Sequence, residues 1–175
     1  MQITRVSKLD VMTLEDMNFS LRITEEAIPP FEGPEMPEVR RVPEYEKAYP
    51  LDVGLFDAAD AAERMISTAM IDDRLAGYVA VSRSWNNCAK IDDIMVCGGN
   101  RRRGVGQALM DEAILWAQES GLPMVRLETQ STNVPALRFY HRYGFKLGGY
   151  DKYLYDALES DGPHETALFW YLRLK

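Results

Sequence analysis

Histidine and cysteine are scarce in this chain: two of each in 175 residues. With only Cys88 and Cys97, a disulfide scaffold is not indicated, and both read as buried free thiols of a cytoplasmic protein. His141 and His164 lie far from either cysteine in sequence, so no Cys–His nucleophile pair is indicated, and no metal ligand set is expected. No apolar run is long enough to cross a bilayer, and Met1-Gln2-Ile3-Thr4-Arg5 lacks the apolar core of a signal peptide. Positive charge is also in short supply. Lys and Arg number 20 against 27 Asp and Glu, a net charge of −7. That balance argues against a nucleic-acid partner and suits a small cationic one.

What is present is an ordinary globular composition, 46% hydrophobic and 27% charged, in one domain spanning residues 1–175. Residues 2–6 read as a strand, and Thr13 with Asp16 as a capping-box variant starting a helix through Leu14, Met17 and Leu21. Residues 29–50 carry six prolines and Gly33 among acidic residues, which predicts little regular structure. Phe31, Tyr45 and Tyr49 make this segment a candidate binding loop. Arg64 to Ile71, the turn Asp72-Asp73-Arg74 and Leu75 to Ser84 form a hairpin; Lys90 to Cys97 and Met124 to Gln130 are further strands. Asn133 caps a short helix with Pro135 in its first turn, and Phe145 to Tyr155 and Ala167 to Leu174 close the chain as β-rich segments. The order predicts an α/β protein with a mixed sheet and helices on it.

The most informative stretch runs from Ile91 to Trp116. An apolar strand containing Ile94-Met95-Val96 leads through Gly98-Gly99-Asn100 into Arg101-Arg102-Arg103-Gly104-Val105-Gly106-Gln107. A helix follows, with Leu109, Ala113, Trp116 and Ala117 at helical spacing. A basic glycine-containing turn at a helix start offers unpaired N–H groups and the positive end of the helix dipole, which together favour an anion. It is not a P-loop, because no lysine follows Gly106. Nor is it a dinucleotide fingerprint, because Leu109 stands where a third small residue is needed.

Arg-x-x-Gly-x-Gly after a strand resembles the acetyl-CoA pyrophosphate loop of the GNAT superfamily of N-acetyltransferases. Asn133, seven residues before Tyr140, and Phe139-Tyr140-His141-Arg142-Tyr143-Gly144-Phe145 match further elements of that superfamily in the same order. The resemblance implies a central mixed, mostly antiparallel sheet splayed at the acetyl-CoA site and flanked by helices. It also implies cofactor contacts from Ile94, Met95, Val96, Arg101, Arg102, Arg103, Gly104, Val105, Gly106, Gln107, Asn133, Ala136 and Tyr140.

The chemistry follows from the reaction of an amine with a thioester. An alkyl ammonium has a pKa of about 10 and must first lose a proton. The departing thiolate leaves more easily when it is protonated. The resemblance makes Tyr140 the acid and Glu128 the base, direct or through water. Asp92 and Asp93 compete as bases; strand alternation would point them to opposite faces, leaving one solvated or capping a loop. The alternative for Glu128 is an ion pair with Arg126 on the same strand face.

Ser84-Trp85-Asn86, Arg126-Leu127-Glu128-Thr129-Gln130, Asn133-Val134-Pro135-Ala136, Leu147-Gly148-Gly149-Tyr150-Asp151, Glu165 and Phe169-Trp170-Tyr171 further resemble the streptothricin acetyltransferases. Those enzymes acetylate an amino group of the β-lysine moiety of the antibiotic streptothricin. The resemblance implies a small cationic amine as partner, with Trp85, Asp93, Glu128, Tyr150 and Asp151 as substrate-binding candidates. A homodimer is compatible with this reading. Acetylation of a protein N-terminus, a lysine or a polyamine, or a non-catalytic acyl-CoA sensor, are the alternatives.

Overall fold

The computed structural model describes residues 1–15, 17–50, 54, 63–156 and 164–175. In chain order the elements are β1 (Gln2–Val6), α1 (Val11–Glu15), β2 (Leu21–Ala27), β3 (Val39–Lys47), β4 (Arg64–Ile71), β5 (Arg74–Arg83), β6 (Ala89–Val96), α2 (Val105–Glu119), β7 (Met124–Gln130), α3 (Val134–Tyr143), β8 (Lys146–Asp151) and β9 (Ala167–Arg173). No helix is long and apolar enough to cross a membrane. The chain divides into two compact units. One holds Met1–Ser20, Ala48–Val125 and Arg173–Lys175; the other holds Leu21–Lys47 and Arg126–Leu172.

In the first unit the strands lie in the order β1-β4-β5-β6, each antiparallel to the next. The β4–β5 turn places Asp72 and Asp73 at φ +49 and +58, the left-handed geometry a two-residue hairpin demands and Asp tolerates. Helix α2 packs on these strands through Val105, Leu109, Met110, Ala113, Trp116 and Ala117, all buried. Its apolar stripe is the one the helical spacing of the sequence announces. Leu9, Leu14, Phe19, Ile66 and Tyr78 form a buried cluster, with Phe19 edge-on to Tyr78 at 5.8 Å. Cys97 packs against this cluster and Cys88 is buried, so both thiols serve as small core side chains.

Helix α1 departs from the expected start. Asp10, not Thr13, makes the cap, its Oδ1 accepting from the Met12 N–H at 3.0 Å. Thr13 already lies inside this five-residue helix, Leu21 opens a strand instead of extending the helix, and Asp16 lies outside the described residues.

The second unit contains most of β7, β9 and β8, in that order, with β8 antiparallel to β9. It also contains the β2–β3 hairpin, which corrects the expectation of little regular structure over residues 29–50. Val39–Lys47 is a nine-residue strand paired with β2. Pro43 fits because the register shifts there. Ile23 pairs with Tyr45 and Glu25 with Arg41, so the stretch around Pro43 lies in the irregularity, where a missing N–H breaks no ladder bond. Helix α3 starts on Asn133, whose side chain accepts from the Ala136 N–H at 3.3 Å, and ends on Gly144 at φ +111.

Candidate active site

The basic turn is built by β6 and α2 within the first unit. Gly104 takes φ +82 at the helix N-cap, a conformation that glycine adopts without strain. Ala108 N–H donates to Gly104 O at 3.0 Å as the first helical bond. The N–H groups of Val105, Gly106 and Gln107 therefore precede the helical ladder and face outward from the helix start, as an anion site requires. The three arginines differ in their duties. Arg102 (φ +60) and Arg103 are exposed, with Arg103 bonded to Asn100 Oδ1 at 3.0 Å. Arg101 turns inward and donates to Val96 O at 3.2 Å and Phe19 O at 3.0 Å; burial lowers its guanidinium pKa. It ties the end of β6 to the segment before β2, so it shapes the turn from behind. The Gln107 side chain reaches Asp111 at 2.9 Å.

Strand β6 carries a feature the sequence does not reveal. Val81 pairs with Ile91 and Ala80 with Asp93, which leaves Asp92 as an extra residue in a β-bulge. Strict alternation fails at a bulge, so the argument that Asp92 and Asp93 face opposite ways does not hold there. Asp92 is not solvated: its side chain is 9% exposed and paired with Lys90 at 3.0 Å. Asp93 accepts from the buried Tyr78 hydroxyl at 2.7 Å. Burial first, and Asp93 next, push the Tyr78 hydroxyl far above its usual range. Ile94, Met95 and Val96 pair with Val79, Tyr78 and Gly77, and the Met95 side chain packs on the core cluster. What this strand can offer a ligand is mainly backbone. Trp85 stands at the other end of the β5–β6 hairpin, 93% exposed. It is a strand length of about 25 Å from the basic turn.

Strand β7, whose residues from Arg126 on belong to the second unit, alternates buried Val125, Leu127 and Thr129 with half-buried Arg126, Glu128 and Gln130. Glu128 thus shares a face with Arg126, as expected, and its carboxylate Oε1 accepts a hydrogen bond from the Tyr155 hydroxyl. Sequence reasoning gave no role to Tyr155, because nothing local to residue 155 points to a strand 27 residues earlier. Tyr140 is 7% exposed on α3, with ring contacts to Phe139 at 5.5 Å and Phe145 at 6.0 Å. Asn133 is half-buried, and because its Oδ1 is spent on the cap, its amide N–H groups are what it can offer a ligand. The Ala136 N–H is taken by the same cap.

Two cavities open in this unit. One, of about 560 Å³, is lined by Glu26, Phe31, Tyr45, Ser131 and Thr166 among others. The other, of about 610 Å³, lies between the 31–34 segment and Leu147–Tyr150. Phe31 borders both. Tyr150 meets the Phe31 ring at 5.5 Å and carries the Lys152 ammonium 5.9 Å from its ring centre. Phe31 and Tyr45 of the 29–50 segment thus line these cavities. Asp151 bonds to the Tyr153 N–H at 2.8 Å and so organises the turn after β8.

Comparison with known proteins gives these parts a common setting. The model of the acetyltransferase (GNAT) family matches residues 21–145. A streptothricin acetyltransferase of Escherichia coli is 40% identical over 103 residues, 59% of this chain and 59% of that protein. Another from Streptomyces lavendulae is 39% identical over 134 residues, 73% and 70% of the two chains. The matched part is thus less than two thirds of the Escherichia coli protein's length. Among solved structures, nourseothricin acetyltransferase superimposes with a TM-score of 0.81 at 30% identity, covering 99% of this chain and 98% of the other. A Bacillus anthracis protein in complex with acetyl coenzyme A does so at 0.80 and 29%, over the whole of both chains. The family model covers well over half of the chain, and the chain belongs to the GNAT family of acetyltransferases.

Proposed function

We propose that this protein is an acetyl-CoA-dependent N-acetyltransferase that acetylates an amino group of the β-lysine moiety of streptothricin. The observation that carries the proposal is the likeness over nearly the full chain to nourseothricin acetyltransferase, together with two curated relatives named for streptothricin. Acetyl-CoA supplies a thioester whose carbonyl carbon is open to attack by an amine. The residues present fit this cofactor. The N–H groups of Val105, Gly106 and Gln107 bind its pyrophosphate, with Arg102 and Arg103 adding charge at the surface and Arg101 holding the turn in shape. The backbone of Ile94–Val96 and the Asn133 amide make further contacts with it.

Glu128 removes a proton from the acceptor ammonium, directly or through water, and Tyr140 returns one to the departing sulfur. The acceptor is a polycation. The aromatic walls formed by Phe31, Tyr45 and Tyr150 suit it, since a ring face attracts a cation, as Lys152 over Tyr150 illustrates. Net charge −7 favours its approach. Incubating the purified protein with acetyl-CoA and streptothricin tests the proposal. Thiol release with the acetyl group located on a β-lysine amine by NMR is the expected result. Acetyl-CoA binding without turnover of any amine would leave a sensor in place of an enzyme.

A further inference from the structure

We propose that Tyr155 is a positioning residue for the catalytic base, its hydroxyl holding the Glu128 carboxylate in the orientation that meets the acceptor amine. This inference rests on the reading of Glu128 as the base.

The geometry is local to the second unit. Glu128 projects from the half-buried face of β7, and the Tyr155 hydroxyl donates to its Oε1. A glutamate carboxylate turns easily about its last torsion. A base without a fixed partner therefore spends much of its time misaligned. A hydroxyl-to-carboxylate bond is charge-assisted and directional. Tyr155 belongs to a hydrogen-bonded turn. It lies in the turn after β8, where the Asp151 carboxylate accepts the Tyr153 N–H at 2.8 Å and Asp156 N–H donates to Tyr153 O at 3.1 Å. The Tyr155 ring is half-buried, which restricts the swing of the hydroxyl. These bonds order the turn on either side of Tyr155, whose own hydroxyl reaches Glu128.

A double-mutant cycle tests the inference, using the full-length protein, saturating acetyl-CoA and streptothricin as acceptor. Tyr155→Phe should lower kcat about tenfold or more, the scale of one hydrogen bond to a charged group, while the acetyl-CoA KM and the melting temperature stay put. Glu128→Gln should lower kcat by at least about a hundredfold. In the Glu128→Gln background the loss of the Tyr155 hydroxyl should change kcat less than about twofold: the amide oxygen can still accept the hydroxyl, but there is no longer a base to position. An equal loss in both backgrounds would make Tyr155 merely structural and overturn the inference. So would a wild-type kcat in Tyr155→Phe beside an impaired Glu128→Gln, which leaves Glu128 as base. A wild-type kcat in Glu128→Gln removes the base and the inference together.

Discussion

At the scale of single residues, the site is a matter of which polar atoms are already committed and which remain to meet a ligand. Arg101 is committed to two backbone carbonyls, Asn133 Oδ1 to the α3 cap, and Asp93 receives the Tyr78 hydroxyl. These residue identities are legible in the sequence as parts of a motif. Their division of labour is not, because a side chain and a carbonyl 82 residues away meet only after folding. Tyr140 is the proposed acid for the departing thiolate. It is buried on α3 among Phe139 and Phe145, so removing its hydroxyl leaves the ring packing in place. Tyr140→Phe should lower kcat by about a hundredfold or more with little change in the KM for acetyl-CoA or in thermal unfolding. A wild-type kcat under conditions where chemistry limits turnover would take Tyr140 out of the mechanism.

Among the elements, the strand-to-helix passage from β6 to α2 is the part that sequence pattern exposes most fully. An apolar run, glycines and a 3.6-residue apolar stripe are all local signals, and β6, α2 and α3 follow them closely. The hairpin β2–β3 is obscured for the opposite reason. Its prolines argue for a loop, and only the register shift at Ile23–Glu25, a property of two strands together, makes room for Pro43. The bulge at Asp92 is hidden in the same way, since it exists only in the pairing of β6 with β5.

Two substitutions probe these elements. Gly104→Asp or Gly106→Asp places a carboxylate at the start of α2, where it would meet the pyrophosphate; at Gly104 it also forces φ +82 on a residue with a side chain. Acetyl-CoA affinity measured by calorimetry should fall beyond detection in both, and unchanged affinity would remove the turn from the cofactor site. Asp151→Ala loosens the turn after β8. As a turn organiser, its loss should lower kcat several-fold at unchanged streptothricin KM. As a direct anchor for the cationic substrate, it would instead raise that KM and leave kcat alone.

For the whole molecule, the question is what the acetyl group is given to. The fold class and family are legible from motif order, because the GNAT elements recur at the same spacing between residues 91 and 145 and the family model matches residues 21–145. The acceptor is less legible, since the cavities proposed for it are lined by segments far apart in sequence, such as Phe31 with Tyr150 and Tyr45 with Ser131. Net charge −7 and the aromatic-lined cavities are the physical grounds for proposing a compact polycation over an extended neutral peptide. The most direct measurement is kcat/KM for streptothricin beside that for a lysine-containing peptide and a free N-terminal peptide, under identical acetyl-CoA. Streptothricin should win by at least about tenfold, or about 1.4 kcal/mol of transition-state preference. A peptide ahead by the same margin would contradict the antibiotic assignment.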